Sequence, residues 1–448
     1  MKLTFCGGVG AVTGANFLLE TGTTKLIIDC GLLQGTANAD SFNRATFPYD
    51  PKTIQYLVVT HAHMDHIGRI PKLVKDGFRG EIVSTPQTME IVRFMFDDAL
   101  KILDEESRRE GVLPLYEKGD VDLALSLWKP LPYHSSRALG EASVYFKDAG
   151  HILGSAMAEI TAENKKIVFT GDLGNSPSPL LRDTEHLGTA DYVVMESVYG
   201  DRNHETHEER HSKFKQTILD TIARKGVLLI PSFSLERTQV ILYELNTFFE
   251  KEKVPQIPVF LDSPLASHVT SVYEHSRDVF NEKAQAEIRA GDDIFNFPKL
   301  KNTIRTEDSQ AIHGTPNPKI IIAGSGMSSG GRVRQHEKTY LGDKNTTLLL
   351  VGYQAVGTLG RQLLDGTKEI LIKGEKVKVH AKVDIVYGYS AHKDSDNLIK
   401  FIADMDPLPK KVFAVMGELK SSLFLVQRLR DYVGVDAVAP SEISSVEL

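Results

Sequence analysis

Short apolar runs that end at polar or glycine-containing turns recur along the first half of the chain. Each run predicts a buried strand that carries a functional group at its C-terminal end. Five such runs occupy residues 25–28, 57–59, 144–146, 167–169 and 192–195, and they precede Asp29, His61, His151, Asp172 and Glu196 respectively. Helical patterns at about residues 86–108, 209–225 and 235–251 lie between some of them. This alternation of strands and helices predicts an α/β layered fold.

A second group of apolar runs follows later, at residues 320–323, 348–351, 383–387 and 412–415. The segment from about 200 to 366 begins and ends with strand-and-helix material and has a polar, turn-rich middle, so we interpret it as an inserted domain. The predicted division is residues 1–205 and 367–448 for one domain and 206–366 for the insertion. We expect the tail, residues 439–448, to be loosely ordered.

Composition narrows the classes of protein to consider. The chain has 448 residues, of which 41% are hydrophobic and 25% charged, as in ordinary soluble globular proteins. No apolar run approaches the roughly 18 residues needed to cross a bilayer, and the N-terminal residues predict no signal peptide. Cys6 and Cys30 are the two cysteines, which give no disulfide framework. These features predict a cytoplasmic protein without membrane association.

The charge balance argues against one mode of nucleic-acid binding. The 52 basic and 59 acidic residues give a net charge of −7, whereas a broad, non-specific nucleic-acid surface needs an excess of Lys and Arg. A metal-lined cleft with a few local arginines can still hold a phosphodiester, so the net charge does not exclude a nuclease.

The stretch from His61 to His66 carries the strongest chemical signal. It places three imidazoles and a carboxylate within six residues, directly after an apolar run, and these are ligands that zinc prefers. The i and i+2 spacing of His61 and His63 lets both reach one metal. Asp65 and His66 follow directly and can face a second metal. Later strand ends add His151 and Asp172, and a carboxylate has two oxygens with which to bridge two ions. The remaining strand-end carboxylate, Asp29, is expected to orient a ligand or to hydrogen-bond the His-rich loop.

The order of these residues resembles the metallo-β-lactamase superfamily, and later segments resemble its β-CASP branch of RNA and DNA nucleases. Those segments are Glu196-Ser197-Val198-Tyr199-Gly200, Ser325-Gly326-Met327 with Gly330-Gly331-Arg332, Gly352 to Arg361, and Gly388-Tyr389-Ser390-Ala391-His392. The resemblance covers nearly the whole chain. It implies an αββα sandwich of two mixed sheets flanked by helices, with an inserted α/β β-CASP domain.

The resemblance also implies a role for each matching position. The first zinc would be held by His61, His63 and His151, and the second by Asp65 and His66, with Asp172 bridging the two. Asp65, Glu196 and His392 would be the catalytic residues. The Glu196 carboxylate would orient the His392 imidazole, which would protonate the leaving 3′ oxygen. The products would be a 5′-phosphate and a 3′-hydroxyl.

One position departs from the pattern of the RNA-cleaving members. They have a metal-binding His in a Val-His-Gly-Glu context, where this chain has Val415-Met416-Gly417-Glu418. A thioether is a weak zinc ligand, so we expect the second site to lose about 10- to 1000-fold in affinity.

Three interpretations of Met416 remain. In the first, the enzyme is active with a weakly held second zinc. In the second, that site is effectively empty, and the chain is a nucleic-acid-binding protein with weak or no catalysis. In the third, the chain is a DNA nuclease of the same branch.

Four residues near glycine-rich turns are candidates for substrate binding. We favour RNA-backbone contacts for Arg332 and Arg361 over a solvated or salt-bridge role. For Arg237 the alternatives are even, and Ser325 would either contact phosphate or cap a helix. The leading hypothesis is a zinc-dependent ribonuclease that cleaves single-stranded RNA through a metal-bound hydroxide, as an endonuclease or an exonuclease. A homodimer is expected by analogy alone.

Overall fold

The structure of the protein is a computed structural model that describes residues 1–355 and 357–448. It divides the chain into two compact units. The first unit is Met1–Asn203 with His392–Leu448, and the second is His204–Ala391.

The strands, in chain order, are β1 (Lys2–Gly7), β2 (Asn16–Thr21), β3 (Thr24–Ile28), β4 (Tyr56–Val58), β5 (Glu81–Ser84), β6 (Trp128–Pro130), β7 (Ser136–Leu139), β8 (Ala142–Asp148), β9 (Ala156–Ala162), β10 (Lys165–Phe169), β11 (Tyr192–Glu196), β12 (Val227–Pro231), β13 (Val259–Asp262), β14 (Leu300–Asn302), β15 (Lys319–Ala323), β16 (Thr347–Val351), β17 (Glu369–Ile372), β18 (Glu375–Lys378), β19 (Lys382–Val386), β20 (Lys411–Val415), β21 (Ala437–Val438) and β22 (Ser445–Glu447).

The helices are α1 (Ala39–Arg44), α2 (Met64–Ile67), α3 (Ile70–Lys75), α4 (Pro86–Glu110), α5 (Lys118–Ser126), α6 (His207–Ala223), α7 (Arg237–Asn246), α8 (Pro264–His275), α9 (Glu282–Arg289), α10 (Thr306–Ala311), α11 (Val333–Tyr340), α12 (Leu359–Leu364), α13 (Ser395–Ala403) and α14 (Leu419–Arg428). A π-helical turn, Thr247–Lys251, extends α7. None of the helices that the structure describes combines the length and the apolarity needed to cross a membrane.

The first unit is a sandwich of two mixed sheets. One sheet has the order β22-β1-β2-β3-β4-β5-β6, and the other has the order β21-β20-β11-β10-β9-β8-β7. The core lies between them and contains inward-facing residues of both sheets, such as Phe17 of β2 and Phe169 of β10, whose ring centroids are 6.0 Å apart. The other face of the second sheet is covered by apolar residues of α13 and α14, including Leu398 and Leu425. This arrangement is the layered sandwich that the resemblance implied.

The second unit is built on a parallel sheet of order β14-β13-β15-β12-β16-β19. Its four inner strands, β13, β15, β12 and β16, are buried along their whole length, as expected for a parallel sheet covered by helices. Helices α11 and α12 pack on it through Val333 and Leu363.

Local sequence explains where the predicted helices begin and end. The pattern at 86–108 becomes α4, which has Thr85 at its N-cap, Pro86 in its first turn and Gly111 with φ of 69° after its last turn. The pattern at 209–225 becomes α6, which begins with a capping box in which Thr206 and Glu209 bond each other's backbone N–H.

Two segments lie elsewhere than predicted, and in both cases long-range strand pairing is the reason. Residues 367–391 were assigned to the first domain, but they belong to the second unit, where β19 pairs with β16. The tail was expected to be loosely ordered, but its β22 pairs antiparallel with β1, with Leu3 opposite Val446. This pairing covers the edge of the first sheet, whose N–H and C=O groups would otherwise be exposed.

Both cysteines lie in the interior of the first unit as free thiols. Burial raises the pKa of Cys6 and the pKa of Cys30 to about 12, and only the thiolate is a good nucleophile. We therefore predict that iodoacetamide at pH 8 leaves both thiols of the folded protein unmodified and modifies both in denaturant. Mass spectrometry of the two samples checks this, and modification of the folded protein would contradict the burial. The cytoplasmic location inferred from these cysteines stays a prediction.

Candidate metal centre

The polar groups predicted at strand ends meet at one edge of the first unit. Strands β3 and β4 are parallel neighbours in one sheet, and β10, β11 and β20 are parallel neighbours in the other. Their C-terminal ends carry Asp29, the His-rich stretch, Asp172, Glu196 and Met416. Since the carboxyl ends of parallel strands lie at the same edge of a sheet, these groups converge there.

Four side chains form the first group that could hold a metal ion, namely His61, His63, His151 and Asp172. His63 Nδ1 lies 3.1 Å from His61 Nε2 and 3.3 Å from His151 Nε2. Asp172 Oδ2 lies 3.4 Å from His61 Nε2 and 3.5 Å from His151 Nε2. Four tetrahedral ligands about 2.1 Å from an ion lie roughly 3.4 Å from one another, so the spacing fits a zinc-sized ion.

A second group shares the same aspartate. It consists of Asp65, His66 and Asp172. His66 Nε2 lies 3.4 Å from Asp172 Oδ1 and 3.8 Å from Asp65 Oδ2. Among the described residues, neither His66 Nε2 nor Asp172 Oδ1 has a hydrogen-bond partner, although both are buried. Buried polar atoms are normally satisfied, so this pair fits a coordinating role.

The protonation states of the first group suit metal binding, whereas in the second group burial lowers the pKa of His66 but Asp172 and Asp29 outweigh it and raise that pKa well above its usual value. Burial, followed by neighbouring imidazoles, lowers the pKa of His61 and lowers the pKa of His63 and His151 further. These rings are therefore neutral at pH 7, the form that binds metal. Burial raises the pKa of Asp172, but the surrounding imidazoles outweigh it and hold that pKa well below its usual value. A buried, ionised carboxylate between the two groups attracts cations.

Asp29 and Thr60 contact the imidazoles of His66 and His61 at Nδ1. Asp29 Oδ2 lies 2.7 Å from His66 Nδ1 and also accepts a 2.7 Å hydrogen bond from the Thr60 hydroxyl, while its Oδ1 accepts one from the Thr60 N–H. The Thr60 hydroxyl in turn lies 3.1 Å from His61 Nδ1. Contacts at Nδ1 leave Nε2 facing the metal groups. Thr60 was missed by the sequence analysis, and its position directly before His61 at the strand end was the available signal.

The backbone also fixes the His-rich loop. The Cys30 N–H donates to His66 O at 2.7 Å, and the Leu32 N–H donates to Met64 O at 2.9 Å. Between them, a Cβ on Gly31 would lie 1.5 Å from Asp65 O, so only glycine permits this close approach. The loop after β3 therefore holds Asp65 and His66 of the second group in place.

Glu196 and His392 form a pair beside the metal groups. His392 Nδ1 lies 3.1 Å and 3.3 Å from the two Glu196 carboxylate oxygens, and Glu196 Oε1 also accepts a 2.6 Å hydrogen bond from the Leu173 N–H. Burial lowers the pKa of His392, but Glu196 and Asp172 outweigh it and raise the pKa to about 9. His392 is 24% exposed at its side chain, whereas both carboxylates are buried. The imidazole is thus protonated at pH 7 and open to solvent on one side.

Met416 lies at the end of β20 with φ of 48°. It is 2% exposed and belongs to the core between the two sheets, and a Cβ on Gly8 would lie 2.6 Å from its sulfur. A small cavity of about 10 Å³ is lined by Met416, His66 and Asp29, among others. The side chain packs as a core residue and shares the lining of that cavity with His66 of the second group.

The predicted substrate-binding residues lie in the second unit. Arg332 donates to Asp262 Oδ1 at 2.8 Å and to the carbonyls of Thr303 and Ile304 at 2.7 Å. The same aspartate lies 2.6 Å from His336 Nε2. Arg332 therefore forms the salt bridge that was the alternative to an RNA contact, and its predicted RNA contact stays untested.

The other three candidates also have protein partners. Arg237 donates to Val351 O. Ser325 Oγ accepts a 3.0 Å hydrogen bond from the Ser329 N–H, which closes a turn; the next helix, α11, has Arg332 at its N-cap, so this bond is not the predicted helix cap. Arg361 donates to both oxygens of Asp365 at 2.9 and 3.0 Å and is 38% exposed at its side chain. An exposed pair of this kind is weak, so Arg361 can exchange its partner for a phosphate at little cost.

Family models match the chain in three consecutive segments. The metallo-beta-lactamase superfamily matches residues 9–232, the Beta-Casp domain matches residues 238–363, and the Zn-dependent metallo-hydrolase RNA specificity domain matches residues 376–440. The chain belongs to the β-CASP branch of the metallo-β-lactamase superfamily. Membership implies that it binds a divalent metal, and the two groups described above are its candidate ligands.

Named relatives extend over nearly the whole chain. The ribonuclease TTHA0252 of Thermus thermophilus is 37% identical over 425 residues, which cover 95% of each chain. The transcription termination factor FttA of Methanosarcina mazei is 29% identical and covers 100% of this chain and 72% of its own. A crystal structure of a protein of unknown function from Enterococcus faecalis V583 superposes with a TM-score of 0.61 at 14% identity and covers 100% of this chain and 99% of that one. This last likeness shows the fold alone.

The Asp29 contacts generate a prediction. Asp29→Ala removes the acceptor at His66 Nδ1, and losing such a support costs about 10- to 100-fold in metal affinity. We expect that loss for the more weakly bound ion, measured by competition with a chromophoric chelator. The exposed carboxylate of Asp404, in the same unit, supplies the control Asp404→Asn, which should bind metal as the unmodified protein does. Equal affinities in all three proteins would show that Asp29 does not support the second group.

Proposed function

We propose that this protein is a zinc-dependent ribonuclease that hydrolyses phosphodiester bonds of single-stranded RNA and leaves a 5′-phosphate and a 3′-hydroxyl. The observation that carries the proposal is the sharing of Asp172 between two ligand groups, since paired ions suit phosphoryl transfer. Metal-dependent hydrolysis of RNA is further supported by the family and by the 37% identity to a ribonuclease.

Six side chains would hold the two ions in this proposal. The first ion would take His61, His63 and His151, the second would take Asp65 and His66, and Asp172 would contribute one oxygen to each. Bound there, the ions supply an activated water and neutralise negative charge on the phosphate. The residues around them orient the imidazoles and keep the site rigid.

His392 would donate the proton that the departing 3′ oxygen needs. An alkoxide is a poor leaving group, so the departing 3′ oxygen needs a proton from a positioned acid. With its pKa raised to about 9, His392 holds that proton at pH 7, and Glu196 orients the ring through Nδ1. Glu196 also stabilises the imidazolium before the transfer, which makes it a positioning residue in this step.

A second candidate function is favoured by Met416. Because this side chain packs in the core and offers only a thioether, the second ion would be held by Asp65, His66 and Asp172 alone. The chain would then bind RNA with weak or no catalysis. A DNA nuclease of the same branch remains the third alternative. The homodimer stays a prediction.

The central prediction concerns the first ligand group. His61→Ala should lower cleavage of a labelled single-stranded RNA by about 100-fold or more, because the first ion loses one of its imidazoles. Its circular dichroism spectrum should stay unchanged. His134→Ala is the matched control, because His134 is a half-exposed histidine of the same unit that pairs with Glu185. Full cleavage by His61→Ala would rule out the metal-centred mechanism.

A second prediction concerns Met416, which stands where the family pattern has a metal-binding histidine. Met416→His restores an imidazole beside the second group and should tighten binding of the second ion by about 10- to 1000-fold, with more RNA cleavage. Met416→Leu keeps the apolar bulk and should match the unmodified protein. Metal content after dialysis and cleavage of RNA and DNA of one sequence are measured together. Unchanged metal content in Met416→His would show that the chain compensates for the missing histidine elsewhere.

A further inference from the structure

The first unit contains an open cavity of about 550 Å³ whose lining includes none of the metal-group residues. Three segments build it: the loop of residues 46–51 after α1, the helix α3, and residues 113–115, which follow α4. Its volume lies within the range of small-molecule sites, which is roughly 300–1000 Å³. It is thus large enough for a nucleotide.

One wall of the cavity is aromatic and apolar. The rings of Phe47 and Tyr49 stack with centroids 5.4 Å apart and planes 21° apart. The Tyr49 hydroxyl donates to Asn16 Oδ1 at 3.0 Å, which fixes that ring in place. Leu113 also lines the cavity, yet it is 82% exposed. Phe47 is only 8% exposed and mainly fixes the neighbouring ring, so the partly exposed Tyr49 and the exposed Leu113 supply the apolar surface that a planar group would remove from water.

The lining is also basic, in contrast to the chain as a whole. It includes Arg44, Lys72 and Lys75 but a single carboxylate, Asp76, so its formal charge is 3 − 1 = +2 in a chain of net charge −7. Lys72 is already paired, since its ammonium lies 2.5 Å from Asp76 Oδ2 and 4.5 Å from the Phe47 ring centroid.

The other two cations converge on one segment. Arg44 Nη1 donates to Leu113 O at 2.8 Å, and Lys75 Nζ donates to Leu115 O at 3.2 Å. The residue between these carbonyls is Pro114, and a residue before proline is extended, so the two carbonyls lie within about 7 Å along the chain. Carbonyls are neutral acceptors. Lys75 therefore keeps its charge and further N–H donors for an anion at this end of the cavity. Arg44 Nε also donates to Asp40 Oδ1 at 2.8 Å, but this ion pair is exposed and weak, so a phosphate can replace the carboxylate at little cost.

We propose that this cavity binds a nucleoside phosphate. The base would lie against the Phe47–Tyr49 ring pair and Leu113, and the phosphate would lie between Arg44 and Lys75. An aromatic wall alone would suit any apolar ligand, and two cations alone would suit any anion. Together, at the two parts of one cavity, they select a planar group joined to a phosphate. The source is either a free mononucleotide or one nucleotide of an RNA strand, and neither depends on the proposed hydrolysis.

Titration calorimetry of the metal-loaded protein with AMP, adenosine and inorganic phosphate tests the proposal. We expect AMP to bind at least about tenfold more tightly than adenosine or phosphate, since each part contributes. Lys75→Glu should weaken AMP binding by about tenfold or more through charge reversal. Leu113→Ser should weaken it severalfold, and because this leucine is exposed the substitution leaves the fold intact.

The matched control is Lys400→Glu. Lys75 and Lys400 are both exposed lysines in the last turn of a helix of the first unit, but only Lys75 lines the cavity. The control should bind AMP as the unmodified protein does. Unchanged AMP affinity and stoichiometry in both cavity variants, or equal affinity for AMP and phosphate, would overturn the proposal. If AMP binds only at the metal groups, both cavity variants will show unchanged AMP affinity and stoichiometry.

A second arm identifies the source of the nucleotide. Labelled single-stranded RNA is bound to His61→Ala and to the double variant His61→Ala with Lys75→Glu. Loss of both RNA and AMP affinity shows that the cavity holds a nucleotide of the strand, and loss of AMP affinity alone shows a free nucleotide. Cleavage is measured separately on the unmodified protein. AMP binding here without any RNA cleavage would overturn the ribonuclease proposal and support this one.

Discussion

The structure of the metal centre depends on the buried carboxylate of Asp172. Removing an ionised carboxylate from water is costly unless charges and hydrogen bonds replace the solvent. Here the replacements are imidazoles, with His61, His66 and His151 all within 3.5 Å of its two oxygens. The carboxylate divides them into two sets, one for each oxygen. An ion bound by one set is therefore linked to the other set through the single side chain of Asp172.

Around this carboxylate the fold supplies a second layer of orienting contacts. Asp29, Thr60 and Glu196 each contact a histidine at Nδ1, and each of these residues follows or ends a strand. The six candidate ligands lie on three loops, which follow β4, β8 and β10, and these loops can be rigid at once only if the strands beneath them are rigid. The parallel neighbours β3 with β4, and β10 with β11 and β20, provide that rigidity, and the core between the two sheets holds both edges at a fixed separation.

Met416 makes the two halves of the centre unequal. The first group has three imidazoles and a shared carboxylate oxygen, whereas the second has one imidazole, one carboxylate and the other shared oxygen. The Met416 thioether packs in the core against Gly8, at the position where the resemblance implied a metal-binding histidine. The second group therefore has fewer nitrogen donors than the first.

Neighbouring residues along the chain were enough to predict the local elements and to name the candidate metal ligands, which the structure brings close together. Apolar runs that end at Asp29, His61, Asp172 and Glu196 became strands at those places, because strand formation and chain reversal are set by neighbouring residues. Only the tertiary structure decided what depends on distant segments: the pairing of β19 and β22, the Asp262 partner of Arg332, and the contact of Thr60 with two residues of the centre. The cavity beside α3 is another such case, since its aromatic rings and cations come from three separate segments. Hydrogen bonds and ion pairs act over a few ångströms, and a linear pattern contains no information about which distant residues come that close.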